Sequence, residues 1–248
     1  MDLELDGRVL VCTGATGGIG RPTARLLAAE GARLVLIDRD EFQLRELAAD
    51  LEGPGHIVLA QDLRDPASAG AIAAAARSCG RVDGLAHLAA VMLPVDFDDI
   101  GVEIWDLHQE VNVRGAFLLA RALAAEMTAG DGGRIALVSS GAWLSGGLPD
   151  RLPYAVSKGA VTTMVRALAR ALGPRGVAVN GVAPGMVETA MMDAGLDSAV
   201  RRSLEEQTPL GRFAAPEEIA PLIAFLLSPA SSFVSGSTLV ASGGLVLH

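Results

Sequence analysis

The chain has 248 residues, 50% of them hydrophobic and 20% charged, which excludes a disordered polypeptide and allows one α/β domain with a large core. Its net charge of −9 argues against nucleic acid or an anionic membrane as a partner. Two isolated cysteines, Cys12 and Cys79, form neither a disulfide framework nor a metal-binding spacing, so no metal is expected. The N-terminal segment carries Asp2, Glu4 and Asp6 and no apolar leader, and a cytoplasmic location is expected.

The first predicted strand, residues 9–12, runs into the glycine-rich turn Thr13, Gly14, Ala15, Thr16, Gly17, Gly18, Ile19, Gly20. Gly14 lets the chain turn sharply, and Gly18 and Gly20 let backbone N–H groups and a helix N-terminus approach a pyrophosphate. A helical pattern follows from Pro22 to Glu30, with Gly31 as its stop. The second strand, 34–38, ends on Asp38, where a carboxylate accepts hydrogen bonds from adenosine ribose hydroxyls. Further strands are predicted over 57–62, 84–89, 135–140, 177–182 and Thr238–Ala241. Helical patterns between them include 67–77, 102–127, 154–172 and 216–227. Near-continuous apolar strands alternating with helices predict a parallel sheet covered on both faces. No repeat, linker or low-complexity tract interrupts residues 1–248, which read as a single domain.

Tyr154 and Lys158 are four residues apart on the predicted helix 154–172, so phenol and ammonium share a face. A phenol titrates near pH 10 and is a poor acid or base at neutrality. A cation at about 4 Å in an effective dielectric of about 20 favours phenolate by about 4 kcal/mol. That lowers the pKa by up to about 3 before desolvation subtracts from it. Tyr154 is then expected to exchange protons with an alcohol near pH 7.

These residues resemble the short-chain dehydrogenase/reductase family, in its compact single-domain branch, over nearly the whole chain from Gly7 to Gly244. Gly14, Gly18, Ile19 and Gly20 match the family's glycine motif, and Asp62 and Leu63 match the pair that meets the adenine ring. Asn112, Ser140, Tyr154 and Lys158 match the catalytic tetrad. Pro184 to Thr189 match a loop in which the Val187 backbone and the Thr189 hydroxyl hold the nicotinamide carboxamide. The resemblance implies a Rossmann-type, doubly wound α/β/α sandwich with a seven-stranded, mostly parallel sheet. It also implies an NAD-dependent oxidoreductase acting on CH–OH groups. Tyr154 is then the acid/base, Ser140 steadies the reacting oxygen, and Lys158 lowers the tyrosine pKa and binds the nicotinamide ribose. Asn112 is expected to hold a relay water. Thr16, Gly17, Arg39 and Ala89 complete the expected cofactor site.

The chain also departs from the family pattern. The usual Asn-Asn-Ala-Gly reads His87, Leu88, Ala89, Ala90, and His87 is taken as a satisfied core histidine. The interval from Ser140 to Tyr154 is one residue longer than usual, which leaves Ser139 as the fallback for the serine. Val-Asp-Gly-Gly reads Ala241, Ser242, Gly243, Gly244, losing a structural carboxylate.

Asp38 at the strand end, with neutral Thr16 in the turn, favours NAD over NADP, whereas Arg39 leaves NADP open. Trp143, Leu144, Met186, Met191, Met192 and Leu196 are candidates for the wall or lid of a site for a hydrophobic alcohol or ketone. Residues 219–248 carry no Asp, Glu, Lys or Arg, yet Pro229 interrupts them too early for a membrane span. A helix and edge strand at a homotetramer or homodimer interface is expected there. Competing readings are a non-catalytic NAD-sensing protein on the same fold, an NADP(H)-dependent ketoreductase, and a lyase or epimerase with a tightly held cofactor. The absence of GxSxG excludes a nucleophile-elbow serine hydrolase.

Overall fold

The structure is a computed structural model and describes residues 2–127, 132–194 and 196–247. Met1 and His248, the ends of the expected domain, lie outside the described residues. Seven strands form one parallel sheet: β1 Val9–Thr13, β2 Arg33–Asp38, β3 Ile57–Ala60, β4 Val82–His87, β5 Gly133–Val138, β6 Val177–Pro184 and β7 Thr238–Ala241. Their spatial order is β3-β2-β1-β4-β5-β6-β7. The order reverses between β1 and β4, and ligands of doubly wound sheets bind beyond the strand ends at that point. The Rossmann-type sandwich expected from the sequence is therefore present.

Side-chain alternation divides the core. Val9 and Val11 of β1 join one apolar layer with helices α3, Ser68–Ser78, α5, Ala116–Glu126, and α7, Leu152–Leu172. Leu10 and Cys12 join the opposite layer with α1, Gly20–Ala29, α2, Glu41–Ala49, and α10, Ala220–Leu227. The layer under α1 explains Cys12, whose thiol is buried and pushed up to about 12 by desolvation. Asp40 caps α2 by accepting from the Gln43 N–H at 3.1 Å, and Asp197 caps α9, Ser198–Gln207, through Ala199 at 2.7 Å.

Several expected boundaries move. α1 begins at Gly20, two residues before Pro22. The predicted helix 102–127 is divided into α4, Val102–His108, a π-helical stretch, Gln109–Gly115, and α5. A π stretch inserts an extra residue per turn and often marks a functional position; here it contains Asn112. The segment 216–227 is a 3-10 turn, Pro216–Glu218, followed by α10. β3, β4 and β5 stop at Ala60, His87 and Val138, so Asp62, Ala89 and Ser140 lie on the turns beyond them.

The uncharged segment also differs in detail. α10 buries Ile223, Ala224, Leu226 and Leu227 in this chain's own core, and Phe225 packs against the same layer rather than presenting a free face. β7 pairs only with β6 among the described residues, and the neighbouring Phe233 is fully exposed. No described helix is long and apolar enough to cross a membrane.

Candidate active site

The turns after β1 and β4 meet at Gly14. Its φ is +65°, and a Cβ there would lie 2.6 Å from the Ala89 nitrogen. Only glycine allows that approach at that φ. A Cβ on Gly18 would lie 2.5 Å from Thr189 Cγ2, so the glycine turn also abuts the loop after β6. Gly20 packs against the Gly14 carbonyl oxygen and opens α1, whose N-terminus has neither a side-chain cap nor an acid in its first turn. Gly17 and Ile19 line the space in front of it, which suits the oxyanions of a pyrophosphate.

At the outer end lies a cavity of about 230 Å³ lined by Thr16, Gly17, Asp38, Arg39, Asp62, Leu63, Arg64 and Ala89, among others. The Thr16 N–H and hydroxyl donate to Asp38 Oδ2 at 3.1 and 2.6 Å, and the Arg39 N–H donates to Oδ1 at 2.8 Å. Arg64 Nε donates to Asp62 Oδ2 at 2.8 Å and holds that carboxyl below its usual range. Arg64 belongs to this wall although no motif singles it out; its place two residues after Asp62 is the signal in the sequence.

A wider cavity of about 590 Å³ continues inward past Gly14 and Gly17 to Ser140, Tyr154 and Lys158. These three expected residues therefore share one space, reached from the glycine turn. Ser139 lines it too, but its buried hydroxyl donates to the Lys158 carbonyl at 2.9 Å and pairs with Thr162 Oγ1 at 2.7 Å. Ser139 thus ties β5 to α7. Ser140 accepts a hydrogen bond from the Ala142 N–H at 3.2 Å and also hydrogen-bonds Tyr154.

The electrostatics differ from expectation. Burial pushes the Tyr154 phenol upward, and the Ser140 hydrogen bond pulls it only part of the way back. Lys158 Nζ donates to the Val138 carbonyl at 2.8 Å and lies 5.5 Å from the Tyr154 ring centroid. Its own pKa falls to about 7 because burial disfavours the ammonium. The expected depression of Tyr154 by Lys158 is not found: desolvation dominates for both groups, and the ammonium is held at a backbone carbonyl.

Asn112 is buried in the π stretch. Its Oδ1 accepts from the Val91 N–H at 2.8 Å, and its Nδ2 donates to the Val91 carbonyl and to Ser157 Oγ, each at 2.9 Å. Ser157 in turn donates to the Tyr154 carbonyl at 2.7 Å. Asn112 therefore clamps the loop after β4 to the helix carrying Tyr154, and both amide protons are committed to that clamp. His87 is buried as expected, but only half satisfied. Nδ1 pairs with Thr13 Oγ1 at 2.9 Å, while Nε2 has no hydrogen-bond partner. Burial, then nearby Lys158, lower its pKa to about 3 and keep the ring neutral.

In the loop after β6, Val187 bridges Ala214, and Thr189 caps the short helix α8, Ala190–Asp193, by accepting from the Met192 N–H at 3.2 Å. Met186, Met191 and Met192 line the wider cavity as expected. Trp143 and Leu144 are not among its lining residues; Trp143 stacks under Arg166 at 5.7 Å instead, because the short helix α6, Ala142–Ser145, turns it away. Leu196 is likewise absent from the wall. Ser242, at the position of the missing carboxylate, both accepts from the Val246 N–H and donates to its carbonyl, each at 3.1 Å. Among the described residues, no cluster of His, Cys, Asp and Glu could hold a metal.

Comparison with known proteins agrees with this geometry. Residues 14–246 match the family model described as enoyl-(acyl carrier protein) reductase. The chain is 35% identical to the D-threitol dehydrogenase of Mycolicibacterium smegmatis, over 99% of this chain and 95% of that one. It is 31% identical to an NAD-dependent glycerol dehydrogenase of Listeria innocua, over 99% and 96% of the two chains. It is 35% identical to a 3-oxoacyl-[acyl-carrier-protein] reductase of Thermotoga maritima, over 99% and 100%. A solved short-chain dehydrogenase/reductase from Brucella melitensis, titled glucose/ribitol dehydrogenase, superimposes with a TM-score of 0.93 at 36% identity, covering all of both chains. The chain belongs to the short-chain dehydrogenase/reductase family, and is an oxidoreductase of the kind that binds a nicotinamide dinucleotide.

Proposed function

We propose that this protein interconverts a secondary alcohol and a ketone with NAD(H), Tyr154 acting as the acid/base. The observation that carries the reading is the shared cavity: Ser140, Tyr154 and Lys158 face one space whose other end is the glycine turn. The names of the threitol and glycerol dehydrogenase relatives support an alcohol substrate. The bound dinucleotide supplies the hydride acceptor or donor at its nicotinamide.

The chain's residues supply the rest. The Ser140 hydroxyl donates to the substrate oxygen and steadies charge as it develops. Tyr154 gives that oxygen a proton in reduction and removes one in oxidation. Its upward-shifted pKa keeps the resting phenol protonated at neutral pH. Lys158, with a pKa of about 7 and its Nζ 5.5 Å from the Tyr154 ring centroid, exchanges protons readily near neutrality. Asn112 acts as a positioning residue through Val91 and Ser157. Gly14, Gly17, Gly18, Ile19 and Gly20 form the pyrophosphate cradle. Asp38 takes the adenosine ribose, Asp62, Leu63 and Ala89 border the adenine, and Val187 and Thr189 border the nicotinamide amide.

Asp38 supports NAD as the cofactor. A second reading, NADP(H), is favoured by Arg39 and Arg64 in the same cavity. A panel of secondary alcohols and ketones with each cofactor, followed by nicotinamide absorbance, tests both readings. No turnover with any member overturns the catalytic reading, and a kcat/KM ratio for NAD over NADP below one overturns the cofactor assignment.

We further read the chain as one domain that assembles into a homotetramer or homodimer through the half-exposed edge strand β7 and the exposed Phe233. A monomer by light scattering at micromolar concentration overturns that interface. The free cysteines support a cytoplasmic setting.

A further inference from the structure

The uncharged stretch 219–248 is only partly explained by α10 in the core and by β7 at the sheet edge. The residues after β7 have a different destination. Ser242 holds Val246 through both its N–H and its carbonyl, each at 3.1 Å, and the Leu245 N–H donates to the Ser242 carbonyl at 3.1 Å. The Gly243 carbonyl accepts from the Leu210 N–H at 3.1 Å, which ties this turn to the segment after α9. The tail so fixed lies across the wider cavity, and Leu245 and Val246 are part of its wall. A Cβ on Gly141 would lie 3.3 Å from Val246 Cγ2, which puts that methyl beside the residue following Ser140.

The wall that Val246 joins is mainly apolar. Met92, Leu148, Met186 and Met192, from the turn after β4, the turn before α7 and the segment after β6, line the same space and are half-buried. No Asp, Glu, Asn or His is among the described residues lining it. Its polar side chains outside the reacting group are turned to the chain itself. Ser145 Oγ accepts from the Gly147 N–H at 3.2 Å and donates to the Gly141 carbonyl at 3.4 Å. Arg151 donates to the Ala194 carbonyl at 2.8 Å and stands 3.5 Å from Asp150. Ser203 and Gln207 hydrogen-bond each other at 3.0 Å on the exposed side of α9. A polyol brought here would give up water at several hydroxyls and regain partners at few of them, which is costly. An alkyl or ring substituent would instead cover carbon with carbon.

We propose that Val246 is a specificity-determining residue of this site and that the substrate is a neutral, apolar secondary alcohol or its ketone, whose alkyl or ring substituent packs on Val246, and not a polyol. The proposal rests on the dehydrogenase reading above. It departs from the polyol substrates in the names of the threitol and glycerol dehydrogenase relatives. It also gives the end of the uncharged segment a place in the site, beside the interface expected of that segment.

The test measures kcat/KM for methyl ethyl ketone, methyl butyl ketone, methyl hexyl ketone and erythrulose, the hydroxylated counterpart of the first, using the whole protein with NADH and with NADPH. Each methylene that reaches the wall should raise kcat/KM about fourfold, so methyl hexyl ketone should exceed methyl ethyl ketone by roughly 200-fold, mainly through KM. Erythrulose should be the poorest of the four. Val246→Phe fills the space and should lower the hexyl-to-ethyl ratio by at least about tenfold, the low end of what one methylene produces in an apolar pocket. If Val246 only braces the tail, V246F lowers all four ketones in the same proportion and the proposal falls. A flat response to chain length, or a wild-type preference for erythrulose, also overturns it, while leaving the dehydrogenase reading intact. If no ketone turns over, calorimetric titration of the ethyl and hexyl methyl carbinols into the NAD-loaded protein decides. Tighter binding of the hexyl compound that V246F weakens supports the apolar wall even though the catalytic reading has failed; equal affinities, or no binding, overturn it. Should V246F fail to fold, the nearly isosteric Val246→Thr carries the same comparison, with a fall in the ratio of about fourfold for the one methyl contact it gives up.

Discussion

Replacing Asp38 with alanine should change cofactor preference by a calculable amount. In the structure the carboxylate accepts three hydrogen bonds, two from Thr16 and one from the Arg39 N–H. A carboxylate offers about four acceptor positions, so about one remains, on the Oδ1 side, for a ribose hydroxyl. The expectation that Asp38 takes both hydroxyls therefore reduces to one, unless Thr16 gives way. A hydrogen bond to a charged acceptor contributes about 1.5–3 kcal/mol, so its loss should weaken NAD use by roughly 10- to 100-fold. Removing the carboxylate also removes its repulsion of a 2′-phosphate. At about 4 Å and an effective dielectric of about 20 that repulsion is about 4 kcal/mol per unit charge. Asp38 is half-buried, and halving the figure for solvent screening leaves about 2 kcal/mol, or roughly 30-fold. The ratio of kcat/KM for NAD over NADP should thus fall by roughly 300- to 3,000-fold in D38A, with Arg39 and Arg64 left to receive the phosphate. Initial rates with both cofactors at fixed substrate measure it. A ratio within about threefold of wild type would refute the placement of Asp38 against the ribose, since either contribution alone exceeds that.

Tyr154→Phe should cut kcat by at least about 100-fold while cofactor affinity, followed by fluorescence titration, stays near wild type, because the ring still packs and only the proton-transferring hydroxyl is lost; retention of more than about a tenth of kcat contradicts the acid/base role. Lys158 predicts a pH dependence of stability in the cofactor-free protein. Its folded pKa of about 7 lies below the ordinary 10.5, so the unfolded chain binds more protons between those values and stability should rise with pH from about 7. The rise should be read below about pH 9, above which the upward-shifted thiol of Cys12 and phenol of Tyr154 act in the opposite sense. Thermal melts should show that slope in the wild type and not in Lys158→Met; equal slopes would contradict the burial argument. Gly14→Ala should lower Tm and abolish cofactor binding, since the left-handed φ costs about 1–2 kcal/mol and the new Cβ meets the Ala89 backbone. Unchanged calorimetric binding of NAD by G14A would show that the two turns part freely.

Local and periodic features are legible in the amino-acid order. Apolar runs at the sheet positions, the glycine turn after Cys12 and the Tyr154–Lys158 spacing each depend on neighbours within a few residues; each expected strand is present, with its ends shifted by a few residues at most, and the glycine turn, Tyr154 and Lys158 border one cavity. Ser140 was distinguishable from Ser139 only once β5 was seen to end at Val138, committing Ser139 to the α7 backbone and turning Ser140 into the cavity. The π stretch was likewise hidden, because an extra residue in one turn leaves the apolar pattern of residues 102–127 almost unchanged. The balance at Tyr154 could not be decided from spacing: i and i+4 fix which face two groups share, whereas burial and the Val138 carbonyl decide where the charge rests. Val246 illustrates the same limit most plainly. The lack of charge around it is visible in the sequence, but its place beside Gly141 in the cavity wall arises from the tail after β7 meeting the turn after β5 in space, and only the tertiary structure brings those segments together.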